Sequence, residues 1–378
     1  MLDTSYGLPS DEGVIKEFPN SINPSPKGGQ AMRFYNQQHK YYCGIDLHAR
    51  KMYVCILDKK GKTKVHKNIK TDPEMLFELV FPYIDDIVIG VECVFCWYWV
   101  ADLCSEHKVT FVLGHALYMK AIHGGKTKND KIDSFKIAAL LKGGNFPIAY
   151  PYPAKMRATR DLLRRRMYIA RRCGELVAHI QNTNTQYNLP AFAKKISRKY
   201  NRQGVAERFE DPAVRKSVEV DLAMIDALNP ILAQLEWYIE KTARQHDYKT
   251  LYLLRSIPGV GQILGLVILY EIHDIKRFPR VQDFSSYARL IKPVKESAGK
   301  WAGKTNKKIG NAHLKWAIKE AAILMLRESG QAKDYLSRLQ KKYNKGKALG
   351  ILTHKLGRAI YYMLKNNEAF KMERFFIQ

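Results

Sequence analysis

Nothing in this chain of 378 residues is long and apolar enough to cross a bilayer. Its longest strongly apolar run, ILGLVILY at 263–270, falls far short of the roughly 20 residues that a spanning helix needs. The opening MLDTSYGLPSDEG lacks a charged segment followed by an apolar one, so it does not read as a secretory signal. A long basic amphipathic helix with a lipidation motif is missing too, which argues against a membrane-surface protein. No internal repeat is evident. These absences lead to the expectation of a cytoplasmic protein with no membrane partner, in a compartment that keeps thiols reduced.

Acid is also scarce. The chain has 36 Asp+Glu against 63 Lys+Arg, a formal net charge of +27. Such an excess points to a polyanion, because neutralising phosphates releases condensed counterions and supplies affinity without reading sequence. Hydrophobic residues make up 46% of the chain, enough for true cores, and its length suggests two or three domains. Cysteines number six. Cys93, Cys96, Cys104 and His107 superficially have zinc-ligand spacing, but the turn residues of a zinc knuckle are missing. Buried free thiols are the preferred reading, and no structural zinc is expected.

Residues 1–38, rich in Pro, Gly, Ser and Asn, read as a flexible leader. From Tyr41 the pattern changes. YYCGID and MYVCIL read as strands, DKKGK as a tight turn, and Asp72-Pro73 as the start of the helix EMLFELVFPYI. IVIGVE, at 87–92, is apolar enough for a strand buried on both faces and ends in a carboxylate. A helix around WYWVADLC, a strand VTFVL, and a helix DKIDSFKIAALL stopped by Gly143-Gly144 follow. This order predicts an α/β domain with a mixed sheet over 39–150.

Residues 151–250 carry almost no strand signal and read as a helical, coiled-coil arm, one helix ending near Pro190 and a second span containing Pro230. Leu162, Met167, Ile169, Leu176 and Ile180 give the first helix an apolar stripe suited to pairing or self-association. Seven arginines between Arg157 and Arg172, with Arg164, Arg165, Arg166, Arg171 and Arg172 clustered, suggest a nucleic-acid face. Residues 251–378 read as mainly helical with a basic loop-rich stretch, KPVKESAGKWAGKTNKKIGN. PGVG, with Gly259 and Gly261, fits either a helix-hairpin-helix turn offering backbone N–H groups to a phosphate or an ordinary turn between helices.

Four acids stand out. Asp46 and Glu92 close strands, while Asp130 and Asp133 lie one turn apart on a helix. Carboxylates placed this way suit a hard cation that keeps room for a phosphate. Lys126, Lys128 and Lys131 around the pair would draw in a nucleic-acid backbone. The bland alternative is local charge balance on a solvated helix.

GIDLHARKMYVCILDKKGK, GVEC and KTKNDKIDSFKIAALL together resemble the RuvC-like, RNase H-type domain of the DEDD transposases of insertion sequences, relatives of the Piv invertase. SIPGVGQILGLVILYEI and KESAGKWAGKTNKKIGNAHLKWAIKEAA resemble the C-terminal transposase domain of that family. The resemblance places the acidic tetrad on Asp46, Glu92, Asp130 and Asp133, bound to Mg²⁺ (one or two ions, Mn²⁺ as a substitute). It also places a serine nucleophile on Ser297, forming a 5′-phosphoserine intermediate, with Ala298 where glycine is usual. Read from the residues themselves, Lys300 and Lys304 flank this serine in its loop and could hold a scissile phosphate. The resemblance further implies a prokaryotic, nucleoid-associated protein, donor and target DNA, an element-encoded non-coding guide RNA, and assembly into dimers and tetramers. From the residues alone, Ser297 would pass for an ordinary loop residue. Ser285 and Ser286 are neighbouring serines that look like helix caps. Two other readings stand beside the recombinase: a metal-dependent, structure-selective DNA nuclease in which Ser297 is idle, and a basic RNA chaperone that leaves the four acids unexplained.

Overall fold

The computed structural model describes residues 33–123, 129–243, 247–291, 294–297, 300–304 and 309–376. After the two-residue β1 (Phe34–Tyr35), three strands run back and forth: β2 (Tyr41–Leu47), β3 (Lys51–Asp58) and β4 (Thr63–Lys70). Helix α1 (Pro73–Val80), β5 (Ile87–Glu92), α2 (Tyr98–Glu106) and β6 (Thr110–Gly114) follow. Then come α3 (Ala116–His123), α4 (Asp130–Lys142) and the short β7 (Phe146–Pro147). The sheet order is β4-β3-β2-β5-β6, antiparallel among β2, β3 and β4 and parallel from β2 through β5 to β6. The expected mixed-sheet α/β layout is therefore present.

Local chemistry explains its joints. Asp58 Oδ1 accepts the Lys60 and Lys62 N–H groups at 2.9 Å, and Gly61 takes φ +85° to close the β3–β4 turn. Asp72 caps α1 by accepting from the Met75 N–H at 3.0 Å. The α-helix stops earlier than its apolar pattern suggests, because Pro82 offers no N–H and the chain tightens into a 3-10 turn over Phe81–Asp86. Strand β4 and helix α3 were not expected; the polar, lysine-rich TKVHKNIK has little hydrophobic signature because it forms a sheet edge.

One face of the sheet packs against α1 and α2 through Ile45, Val54, Ile89, Val91, Leu76 and Val100. The other receives α4, and two glycines permit the approach. A Cβ on Gly44 would lie 2.3 Å from the Ser134 carbonyl oxygen, and one on Gly90 would lie 2.6 Å from Leu141 Cδ1. These two glycines are direct partners on β2 and β5. A helix can thus lie against the bare backbone at the sheet centre.

The helical region begins with α5 (Ala154–Gln186) and α6 (Pro212–Ala243), which pack along each other, with Pro230 inside α6. Their far end has its own small core of Ile180, Ile196, Val205, Phe209, Val218 and Ile225. The second helical span, the one containing Pro230, is made of two helices, α6 and α7 (Tyr248–Arg255), the latter capped by Asp247 accepting from the Thr250 N–H at 2.9 Å. Helix α8 (Gln262–Ile272), buried from Leu264 onward, packs against α5, α6, α7 and α10 (Ala312–Glu328), with α9 (Val281–Tyr287) following it in the chain. The expected basic loop contains a β-hairpin, β8 (Val294–Ser297) paired with β9 (Lys300–Lys304). Helices α11 (Gly330–Gln340), α12 (Lys345–Asn366) and α13 (Met372–Phe376) close the chain. Among the described residues, no helix is long and apolar enough to cross a membrane.

Two smaller expectations need correction. Ser285 and Ser286 sit inside α9 rather than capping it. Cys93 is exposed rather than a buried thiol, while His107 stacks on Phe77 with ring centroids 3.9 Å apart.

Candidate active site

The acids expected to converge are positioned by α4 and the strands beneath it. Residues two apart on a strand share a face. Asp46 therefore points to the α4 side, two residues beyond Gly44, and Glu92 does the same beyond Gly90. The last β2–β5 pair is Ile45 with Val91, so one further step sets Asp46 beside Glu92 on neighbouring strands. Helix α4 brings its first turn to this end of the sheet. Asn129 caps it, accepting the Lys131 N–H at 3.0 Å, and Asp130 and Asp133 occupy its first turn, where the helix dipole favours negative charge. From β4, His66 Nε2 lies 2.9 Å from the Lys131 carbonyl and 3.3 Å from Ser134 Oγ, tying that turn to the sheet.

Asp46, His48 and Asp130 each offer a ligand atom, all within 4.8 Å of one another, and form the single such group of three among the described residues. His48 Nε2 stands 3.4 Å from Asp46 Oδ2 and 3.8 Å from Asp130 Oδ1. Asp133 is one turn further along α4, with Lys136 Nζ at 3.4 Å. Burial pushes the Asp46 carboxyl above the ordinary carboxylate range; His48 draws it back, and the charges of Asp130 and Asp133 push it up again. A half-buried carboxylate destabilised by two like charges is what a divalent cation would relieve, and the oxygen donors fit a hard ion. His48 escaped the sequence reading, although its i, i+2 spacing from Asp46 at a strand end was a usable signal.

The basic residues divide. Lys126, Lys128 and Ala298 lie outside the described residues; Lys131 is exposed at the start of α4. Arg165, Arg171 and Arg172 are exposed on α5, the last two beside Glu175 at 2.9 and 2.7 Å. Arg164 and Arg166 are turned inward. Arg166 pairs with Glu236 of α6, its Nε donating at 2.8 Å. Arg164 Nε and Arg160 Nη2 contact Glu271, which is 2% exposed, at 2.6 and 2.9 Å. Asn311, the α10 cap, also donates to Glu271 at 2.7 Å. Burial alone would raise this carboxyl, yet Arg164, Arg160 and Asn311 together hold it down at about 2. Nothing in the sequence singled out Glu271, because its two arginine partners lie 107 and 111 residues upstream and Asn311 lies 40 residues downstream.

Gly259 takes φ +82°, and a Cβ there would lie 2.7 Å from Leu324 Cβ, so close packing against α10 accounts for this glycine. Gly261 is the cap residue of α8 in extended conformation. Ser297 ends β8 opposite Lys300, and Lys304 pairs with Val294.

Comparison with known families now bears on this geometry. Residues 43–189, which include all four acids, match a transposase model of the DEDD, IS110 type. Residues 251–337 match the transposase IS116/IS110/IS902 family. The chain carries both IS110 transposase domains. No curated protein sequence matches it. The IS110 transposase is an enzyme that cuts and rejoins DNA, so the RNA-chaperone reading falls away. The expected phosphoserine intermediate is corrected as well. The DEDD match is to a RuvC-like, metal-dependent type whose chemistry rests on carboxylates, in conflict with a covalent seryl linkage at Ser297 and with serine recombination. The metal-dependent alternative fits better.

Proposed function

We propose that this IS110 transposase cleaves DNA at a carboxylate-held metal centre, with Asp46 and Asp130 as inner ligands, His48 as a third donor, and Asp133 and Glu92 completing the acidic wall. The convergence of Asp46, His48 and Asp130 within 4.8 Å carries the reading. An RNase H-like (RuvC-like) fold for residues 39–150 is supported by the strand order β4-β3-β2-β5-β6 with α4 across it. Mg²⁺ is the expected ion; Mn²⁺ belongs in the same assay because His48 adds a nitrogen donor. When bound, such an ion polarises a phosphodiester and lowers the pKa of a water nucleophile. The chain's own residues then have defined tasks. Asp46 and Asp130 hold negative charge at the site, His66 fixes the α4 turn that carries Asp130, and Lys131 draws phosphates toward it.

The arm of 151–250 supports self-association, because α6 leaves Val220, Met224, Ile231 and Trp237 exposed along a helix already paired with α5. A dimer able to pair into a tetramer follows as part of the proposal. An element-encoded guide RNA is a second polyanion compatible with the +27 charge. Donor and target DNA would be its pairing partners, in a prokaryotic cytoplasm.

The test is cleavage of labelled branched DNA by purified protein with Mg²⁺ or Mn²⁺. Metal-dependent nicks in the wild type that vanish in Asp46→Asn and Asp130→Asn, with no DNA covalently attached to protein, support the proposal. Cleavage that persists in EDTA or in Asp130→Asn overturns it.

A further inference from the structure

Beside the acid cluster the sheet face is left uncovered by α4, and its lysines are arranged at a cost. Register and pleat define the surface. Tyr53 is the direct partner of Asp46, and Asn68 is the direct partner of Tyr53, so these three form one row on the α4 side of β2, β3 and β4. Two residues further toward the site end, Lys51 and Lys70 are direct cross-strand partners on that same face. Both are exposed, as is Asn68. Like charges directly opposite each other destabilise a sheet pair. No acidic side chain among the described residues pairs with either lysine, whereas Lys64, at the opposite end of β4, is paired with Asp58 at 3.3 Å.

The position of the pair is fixed by the turn that carries His48. Thr71 Oγ1 donates to the His48 carbonyl at 2.8 Å, and the Thr71 N–H donates to the Arg50 carbonyl at 3.1 Å. The end of β4 is thereby clamped to the turn bearing a candidate metal donor. Lysines on an edge strand also guard against edge-to-edge aggregation. That explains Lys70 on β4 but not Lys51, which is on an interior strand.

We propose that Lys51 and Lys70, with Asn68 beside them, form a shelf that grips the backbone of the DNA strand being cut, one or two phosphates from the scissile bond. The inference rests on the carboxylate-centre reading for its choice of strand. Successive same-face residues of a strand are ~7 Å apart, close to two steps of axial rise at ~3.4 Å per nucleotide along one DNA strand. A phosphate on the shelf therefore leaves a neighbouring phosphate within reach of Asp46 and Asp130. DNA is favoured over RNA because the shelf is continuous with the acids of an enzyme that cuts DNA.

The experiment measures binding of duplex DNA and, in parallel, of duplex RNA in EDTA across a salt series, for the wild type, Lys51→Gln/Lys70→Gln and Lys51→Arg/Lys70→Arg. Loss of two phosphate contacts should flatten the slope of log K against log salt by about 2, roughly 1 per lysine, while the arginine pair keeps the wild-type slope. An unchanged slope in the glutamine pair overturns the proposal. So does a slope lost for RNA alone, or one lost equally in the arginine pair. The glutamine pair should match or exceed the wild type in melting temperature, since repulsion is removed; a lower one would assign the lysines a structural role and also overturn it. Because binding is read without metal, failure of metal-dependent cleavage leaves this result separately readable.

Discussion

Glu271 is buried at 2% exposure, with two guanidinium groups and the α10 cap amide converging on it. Its replacement by glutamine keeps the shape and removes the charge. The carboxyl is held at about 2, against an ordinary value near 4.3 in peptides. That difference corresponds to about 3 kcal/mol of stability near neutral pH. The sign follows from the depressed pKa. The contribution is fully present above the unfolded value and is lost as pH falls through the range from there to about 2. An independent estimate, breaking a buried ion pair by removing one partner, gives roughly 3–5 kcal/mol, and Arg164, 32% exposed, pulls the expectation to the lower end. Urea denaturation of the wild type and Glu271→Gln at pH 7 and pH 3 is the assay. The gap between them should be about 3 kcal/mol at pH 7 and shrink to about 1 at pH 3. A gap under about 1 kcal/mol at pH 7, or one that does not narrow with acid, would refute the idea that this charge cluster joins α5, α8 and α10.

Three further outcomes follow from the geometry. Gly44→Ala sets a Cβ 2.3 and 2.4 Å from backbone atoms of Ser134 and Ala138; it should cost about 1–3 kcal/mol and also weaken metal binding, read by calorimetry, because α4 must withdraw Asp130 from Asp46. Mg²⁺ or Mn²⁺ should raise the melting temperature more at pH 7.5 than at pH 5, since the raised Asp46 carboxyl holds its proton more tightly in the folded protein and a cation must displace it; a shift of equal size in Asp46→Asn would count against the site. His66→Ala should reduce metal-dependent cleavage about 10–100-fold, as loss of an outer supporting contact does, while leaving DNA affinity in EDTA unchanged.

Much of the α/β half was legible in sequence because its signals are local. Asp72-Pro73, the turn at Gly61 and the uninterrupted IVIGVE each act within a few residues, so β2, β3, β5, β6, α1 and α4 follow from short-range chemistry. The candidacy of Asp46, Asp130 and Asp133 was visible for the same reason, through strand ends and an i, i+3 spacing. What tertiary structure decided depends on distant partners. The edge strand β4 exists because β3 offers it a ladder, not because TKVHKNIK favours a strand. Arg164 and Arg166 read as a nucleic-acid face until Glu271 and Glu236, far along the chain, turn them inward. His48 joins the acids only when β2 and α4 meet, and that meeting depends on two glycines whose missing side chains carry no hydrophobic signal at all. Sequence alone determined which residues have the chemistry to hold a metal or a phosphate; packing between remote segments determined which of them share a site.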